Sequence, residues 1–252
     1  MTVVTSHQPG SFCWIELGTS DAKAARDFYT NLFGWTVNEN DMGSMIYYIF
    51  QKSGKDCAAM YQIDEKQQGM PPNWATYVAV ASADESAEKA KSLGANLMMP
   101  PFDVADHGRM CFMSDPQGAM FAIWQAKSHI GVGIRDEANT LCWNELHALD
   151  LDAAKKFYPA LFGWTVKDSP DYTEWHLDGR GIGGMIKSHA PEGAPSYWIP
   201  YFMVDDCDAT VNKAQAGGAV IYVPPQDIEK VGRFAVLADP QGAMFALIKV
   251  MM

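Results

Sequence analysis

Two glutamates and one histidine are the residues of this sequence best suited to acid–base chemistry. Glu145 and His147 are two positions apart in an alternating apolar segment, so both side chains lie on one face if the segment is a strand. A carboxylate beside an imidazole can move a proton near neutral pH. Glu16 has the matching position in an earlier segment, with Gly18 where the histidine would be. The alternatives are a structural pairing of each glutamate with an arginine or with backbone amides, and a histidine that only lies at the rim of a strand.

The composition narrows the classes of partner. The chain has 252 residues, a formal net charge of -11 and 48% hydrophobic residues. An acidic protein repels nucleic acid and anionic membranes, so we expect neither as a partner. The five cysteines are odd in number and form no CxxC pair, which indicates reduced thiols. Because the N-terminal segment is polar and no apolar run reaches about 18 residues, we expect a cytoplasmic protein.

An internal repeat organises the chain. Residues 13–37 match residues 142–166 at 15 of 25 positions, and the eight residues that begin at Asp115 recur unchanged from Asp239. The connection between the copies is polar and contains glycine, which is typical of a linker. We therefore predict a first domain over residues 1–127, a linker over 128–139 and a second domain over 140–252.

Each copy divides again into two units of one pattern. The first unit opens with an alternating strand over Phe12–Leu17 and continues with a helix that begins after Asp21 and ends at Gly34. Two strands follow, and the segment from Trp74 starts the same order again. Strand, helix and strands, repeated four times, predict an α+β fold with curved mixed sheets and outer helices.

The repeated motifs resemble the vicinal oxygen chelate superfamily, which includes glyoxalase I, bleomycin-resistance proteins and extradiol dioxygenases. The motifs are D-x-x-x-A-x-x-F-Y-x-x-L-F-G-W at residues 21–35 and 150–164 and D-P-x-G at residues 115–118 and 239–242. The resemblance covers nearly the whole chain. It implies four βαβββ modules that form two tandem domains of the glyoxalase/bleomycin-resistance type.

Enzymes of that family hold a divalent metal through His, Gln or Glu on the strands that line each cup. Carried onto this sequence, those positions fall on side chains that are poor metal ligands. We therefore expect no metal cofactor, while a divalent metal at a relocated site that uses Glu145 and His147 stays open. The matching positions are Trp14, Met60, Ala75 and Ala122 in the first copy and Trp143, Met185, Ile199 and Ala246 in the second.

Strand alternation predicts cups lined by aromatic and apolar side chains around one carboxylate, as in small-molecule pockets. The tryptophans can stack on a planar or cationic ligand, or can simply fill the space. The repeated arginines can bind a ligand anion or act as struts. The predicted ligand-binding residues are Trp14, Met60, Tyr77, Arg109 and Trp124 in the first copy and Trp143, Met185, Tyr201 and Arg233 in the second.

Three functions remain open at this point. The first is metal-free binding of a planar, apolar or cationic small molecule, similar to bleomycin-resistance proteins. The second is a glyoxalase-like or hydroxylase-like enzyme that uses Glu16, Glu145 and His147 for acid–base chemistry, or a relocated metal. The third is a structural module with closed cups. Because one chain holds four modules, both a monomer and a homodimer are possible.

Overall fold

A computed structural model describes residues 2–43, 45–64 and 69–251. The first copy contains the helices α1 (Ala22–Phe33) and α2 (Ala83–Ser92) and the strands β1 (Thr2–Val3), β2 (Phe12–Thr19), β3 (Thr36–Asp41), β4 (Ile46–Lys52), β5 (Lys55–Gln62), β6 (Asn73–Ala79), β7 (Asn96–Leu97), β8 (Phe102–Val104), β9 (Gly108–Ser114) and β10 (Met120–Ala126). The linker contains β11 (Ile134–Arg135). The second copy contains α3 (Leu151–Phe162), α4 (Cys207–Ala216), β12 (Thr140–Ala148), β13 (Thr165–Asp168), β14 (Thr173–Leu177), β15 (Arg180–Lys187), β16 (Tyr197–Met203), β17 (Val220–Ile228), β18 (Gly232–Ala238) and β19 (Met244–Val250).

Each copy forms one curled mixed sheet. The strand order is β3-β4-β5-β2-β6-β10-β9-β7 in the first sheet, where β8 also pairs with β9, and β13-β14-β15-β12-β16-β19-β18-β17 in the second. Within each module the first and last strands are parallel, and the two modules of a copy join through the antiparallel pairs β2–β6 and β12–β16. The predicted α+β fold of four modules is therefore confirmed, and each cup is built by the two modules of one copy.

The helices start and stop where the repeated motif predicts. Asp21 accepts a hydrogen bond from the backbone N–H of Ala24 at 3.0 Å, and Asp150 caps α3 in the same way. Gly34 and Gly163 end these helices in the left-handed conformation, with φ of 69° and 75°. The duplicated sequence thus fixes two identical helix boundaries.

The two copies share their hydrophobic cores. One core combines α1 and its strands with α4 and the strands of the last module, and includes a contact of 4.9 Å between the rings of Phe33 and Phe202. The other combines α2 with α3. The helices therefore lie outside both cups, as predicted, and also pack between the two sheets. No helix in the described part of the chain is long and apolar enough to span a membrane.

Some elements lie outside what the residue pattern alone predicts. That pattern predicts two strands after α1, and the structure adds the edge strand β3, as the βαβββ order implied by the resemblance requires. The side chains of β3 are mostly exposed and show no alternation. The linker is ordered by β11, which pairs antiparallel with β1, and by the backbone carbonyl of Asn139, which accepts a hydrogen bond from Trp35 Nε1 at 2.8 Å. The linker is thus a packed part of the fold.

Candidate ligand cups

The concave face of each sheet forms a cup. The first cup is the cluster around Trp14, Ala75, Tyr77, Ala122 and Trp124. The second cup is the cluster around Trp143, Ile199, Tyr201, Ala246 and Ile248. The alternation of the sequence therefore places these side chains on the cup face of their strands.

An irregularity at the start of β2 and β12 turns two consecutive residues into each cup. The pairing of β2 with β6 shifts register between Phe12 and Trp14, so Cys13 and Trp14 both face the first cup while Phe12 lies in a helix-side core. The same shift brings Cys142 and Trp143 to the second cup. Such bulges re-aim side chains next to functional sites.

The carboxyl group of Glu16 lies at the floor of the first cup among phenols. The hydroxyl of Tyr77 donates to Glu16 Oε2 at 2.5 Å, and the Tyr47 hydroxyl also hydrogen-bonds this carboxyl group. Trp14 Nε1 donates to the Tyr47 hydroxyl at 3.4 Å. Glu16 is 7% exposed, and this burial raises its pKa although the two tyrosines lower it.

Glu145 has the same surroundings in the second cup, with a histidine added. The hydroxyl of Tyr201 donates to Glu145 Oε1 at 2.7 Å, and the Tyr172 hydroxyl also hydrogen-bonds the carboxyl group. Trp143 Nε1 donates to the Tyr172 hydroxyl at 2.8 Å, and His147 Nε2 lies 3.1 Å from Glu145 Oε1. Burial and the nearby Glu145 raise the pKa of both tyrosines. The predicted pairing of Glu145 with His147 is present.

Sequence reasoning missed Tyr47 and Tyr172, which complete the two networks. Each lies 13 residues before the repeated methionine at 60 or 185, and this equal spacing was the available signal. Gly184 makes room for Tyr172, because a Cβ added there would meet the Tyr172 hydroxyl at 2.0 Å. The Tyr172 side chain therefore crosses Gly184 to reach the carboxyl group of Glu145.

His147 distinguishes the second cup from the first. Its ring stacks on Tyr197 with centroids 4.7 Å apart and planes 18° apart, and it is 8% exposed. The Nδ1 atom of His147 is buried and has no hydrogen-bond partner. In the first cup a Cβ added to Gly18 would meet the Tyr61 hydroxyl at 3.1 Å, so a tyrosine from the next strand occupies the place of the histidine.

A second carboxylate is also particular to the second cup. Glu174, Gly184 and Glu145 are paired in one row across β14, β15 and β12. The matching row in the first sheet has Ile49 where Glu174 lies. His176 Nε2 is 2.9 Å from Glu174 Oε2. The second cup thus has a more polar and more acidic wall than the first.

The expectation that Met60 and Met185 line the cups is wrong, because both side chains point to the opposite face of their strands. Both methionines are fully buried in the helix-side cores, and Ala59 is the residue of β5 that faces the first cup. The segment Ala58–Tyr61 is apolar throughout, so it carries no alternation from which to choose a face.

The expectation that Arg109 and Arg233 bind a ligand in the cups is also wrong. Arg109 Nε donates to Asp84 Oδ2 at 2.8 Å, and Arg233 pairs in the same way with Asp208. These aspartates lie in the first turns of α2 and α4, on the helix side of each sheet. The arginines therefore act as struts, which was the other reading that the sequence allowed.

The residues at the positions used for metal ligands in the family do not fit a divalent metal. Ala122 and Ala246 are fully buried and offer no ligand atom, and the indole nitrogens of Trp14 and Trp143 donate to tyrosine hydroxyls. Within residues 2–43, 45–64 and 69–251, no group of three or more His, Cys, Asp or Glu side chains is placed to hold a metal ion. The absence of a metal cofactor remains a prediction.

Comparison with solved structures finds the same architecture in a glyoxalase and in a dioxygenase. The Mn(II)-bound glyoxalase from Novosphingobium aromaticivorans matches with a TM-score of 0.69 at 15% identity, over 96% of this chain and 82% of that one. An extradiol ring-cleaving dioxygenase from B. fuscum matches with a TM-score of 0.68 at 13% identity, over 100% and 75% of the two chains. At this identity the likeness concerns the fold alone.

Sequence relatives cover almost the full length of the chain. "Putative glyoxylase CFP32" of Mycobacterium tuberculosis is 40% identical over 253 residues, which are 97% of each chain. Anthracycline biosynthesis protein DnrV of Streptomyces peucetius is 34% identical over 264 residues, covering 98% of this chain and 96% of its own. The family model of the glyoxalase/bleomycin resistance protein/dioxygenase superfamily matches residues 11–123 and 145–247. The chain belongs to this superfamily.

Proposed function

We propose that the chain binds a planar small molecule, apolar or positively charged, in the second cup without a metal ion. The observation that carries this proposal is the half-buried Trp143, which shares one face of β12 with the buried Glu145 and His147 and is paired with Tyr201 of β16. An accessible aromatic side chain beside an anchored polar group is typical of a ligand pocket.

The contents of the second cup favour a flat ligand with cationic character. Trp143, Tyr172, Tyr197 and Tyr201 offer aromatic faces and edges, and Glu145 supplies a carboxyl group at their centre. Aromatic faces attract cations, and a carboxylate in an apolar setting is stabilised by a positive charge. The formal net charge of -11 adds attraction for a cation at longer range.

An anthracycline is a suitable first probe, because one relative is named for anthracycline biosynthesis and these compounds are flat and polycyclic. Titration should quench tryptophan fluorescence, and calorimetry should give the affinity. Trp143→Ala should weaken binding by at least about tenfold, because it removes the stacking surface. Trp14→Ala, at the matching place in the first cup, is the control and should leave the affinity unchanged. Equal losses in both variants would refute the assignment to the second cup.

The Glu145–His147 pair favours a second candidate function, acid–base catalysis. Nε2 of His147 faces the Glu145 carboxyl group at 3.1 Å, and Nδ1 on the other side of the ring has no hydrogen-bond partner. A base held in this way can take a proton from a carbon next to a carbonyl group and return it to a neighbouring atom.

Turnover of the hemithioacetal of methylglyoxal and glutathione tests this second candidate. The relative named as a glyoxylase is the reason for this substrate. We expect turnover that persists in the presence of a chelator and falls at least about a hundredfold in His147→Asn. Loss of activity on chelation would instead indicate a metal at a relocated site, and turnover unchanged by His147→Asn would reject the catalytic role.

A further inference from the structure

We infer that the linker, through residues 129–132, occupies the first cup and holds it shut, so that only the second cup of each chain is open. The closure of the first cup is independent of the function proposed above. The assignment of the ligand to the second cup rests on that function.

Backbone hydrogen bonds fasten the linker to the strands of the first cup. The N–H of Val132 donates to the carbonyl of Cys13 at 2.8 Å, and the N–H of Gly133 donates to the carbonyl of Asp56 at 2.8 Å. The N–H of Val4 donates in turn to the carbonyl of Gly133 at 3.0 Å. The linker is therefore held from both sides, by β2 and β5 on one side and by the N-terminal segment on the other.

Two linker side chains fill space that a ligand of the first cup would use. Val132 is fully buried in the same cluster as Trp14 and Trp124. The ring of His129 lies edge-on to Trp14 with centroids 4.8 Å apart, and Trp124 Nε1 donates to the His129 carbonyl at 2.9 Å. Both tryptophans that were predicted to bind a ligand in this cup therefore already contact the linker.

A glycine permits this close approach. Gly131 has φ of 104°, and a Cβ added to it would meet the carbonyl oxygen of Cys13 at 2.1 Å. Any other residue would strain the backbone and push the linker away from β2. The glycine content that identified this segment as a linker is thus also what lets it enter the cup.

The second cup shows what the first would be without the linker. Cys142 and Trp143 repeat Cys13 and Trp14 in sequence and register, yet they are half-buried where their counterparts are buried. The two thiols also make matching hydrogen bonds. Cys13 donates to the backbone carbonyl of Tyr77 at 3.6 Å, and Cys142 donates to that of Tyr201 at 3.4 Å. Among the described residues, the apolar cluster of the second cup contains no linker residue.

This matched pair of cysteines makes the closure measurable without any ligand. Burial raises the pKa of both thiols, so a difference in their labelling rates reports access. We would label the native protein with methyl methanethiosulfonate and follow each cysteine by peptide mass mapping. Cys142 should react at least about tenfold faster than Cys13. Cys57 and Cys207, buried in a helix-side core, report whether the protein stays folded.

Gly131→Ala should open the first cup. Labelling of Cys13 should then rise at least about tenfold towards the rate of Cys142, while Cys57 and Cys207 stay protected. If those two cysteines also react, the variant has unfolded, and His129→Ala combined with Val132→Ala takes its place, because it empties the cup without straining the backbone. Closure is refuted if Cys13 and Cys142 react equally fast in the parent protein, or if Cys13 stays protected in a folded variant.

Discussion

Tyr29 in α1 donates its hydroxyl hydrogen to Asp239 Oδ2 at 2.9 Å, across 210 positions of sequence, and Tyr158 in α3 makes the same bond to Asp115 Oδ2 at 2.9 Å. Both aspartates open the repeated D-P-x-G turns. The helix of each copy is therefore anchored in a turn of the other copy. Trp74 Nε1 extends one of these networks by donating to the Tyr29 hydroxyl at 2.9 Å.

Tyr29→Phe should lower the free energy of unfolding by about 1–3 kcal/mol, because it removes a buried donor from Asp239 and an acceptor from Trp74. Urea unfolding followed by circular dichroism measures the change. Tyr222→Phe removes the same atom from a side chain that is 63% exposed and should change stability by less than about 0.5 kcal/mol. Equal effects in the two variants would show that the inter-copy bond contributes nothing.

Glu16→Gln should become relatively more stable as the pH rises. Burial raises the pKa of Glu16, so the folded protein binds this proton more tightly than the unfolded chain. The contribution of Glu16 to the free energy of unfolding is therefore greatest below the pKa that this group has in the unfolded chain. It is lost as the pH rises through the higher pKa of the folded protein. Denaturant titrations from roughly pH 5 to pH 8 should show the difference between variant and parent moving in favour of the variant. The exposed Glu192→Gln is the control, and a difference that is constant with pH would contradict the expectation.

Gly184→Ala should reduce the affinity of the second cup by about tenfold, because the added methyl group displaces the Tyr172 hydroxyl from Glu145 and Trp143. Isothermal calorimetry with the anthracycline measures this loss. Ala59→Gly, at the matching place in the first sheet, should leave the affinity within about twofold. Unchanged affinity in Gly184→Ala would mean that the ligand does not depend on this network.

Equilibrium dialysis should give one bound ligand per parent chain, because the linker fills the first cup. Gly131→Ala, or His129→Ala combined with Val132→Ala, should bind a second ligand molecule per chain if the variant is folded and Cys13 is labelled. Trp14 would then be the stacking residue of the first cup. Two equivalents in the parent protein would contradict the closure of the first cup.

Elemental analysis of protein purified without chelator or affinity tag should find far less than one transition metal per chain. The expectation follows from the alanines and tryptophans at the positions used for metal ligands in the family. One bound metal per chain would place it at a relocated site, for which Glu145 and His147 are the first residues to replace.

The sequence predicted the parts of this protein that are repeated and regular. Identical motifs located α1 and α3, and strand alternation placed Trp14, Glu145 and Tyr201 on the cup faces. The sequence did not show which face of β5 lines the first cup, because the residues around Met60 are apolar on both faces. It also failed where the decisive contact joins distant segments, because nothing near His129 indicates that the residues that follow β10 return to β2.

The paired contacts between the copies have a consequence for how the protein can change. In a homodimer each contact across the symmetry axis occurs twice and both subunits carry the same residues. Here Tyr29–Asp239 and Tyr158–Asp115 reproduce such a subunit interface inside one chain. Because the halves are encoded separately, a mutation in one need not appear in the other. The place of His147 in one copy is that of Gly18 in the other, a difference that two identical subunits never permit. One half is therefore free to specialise while the other supports it.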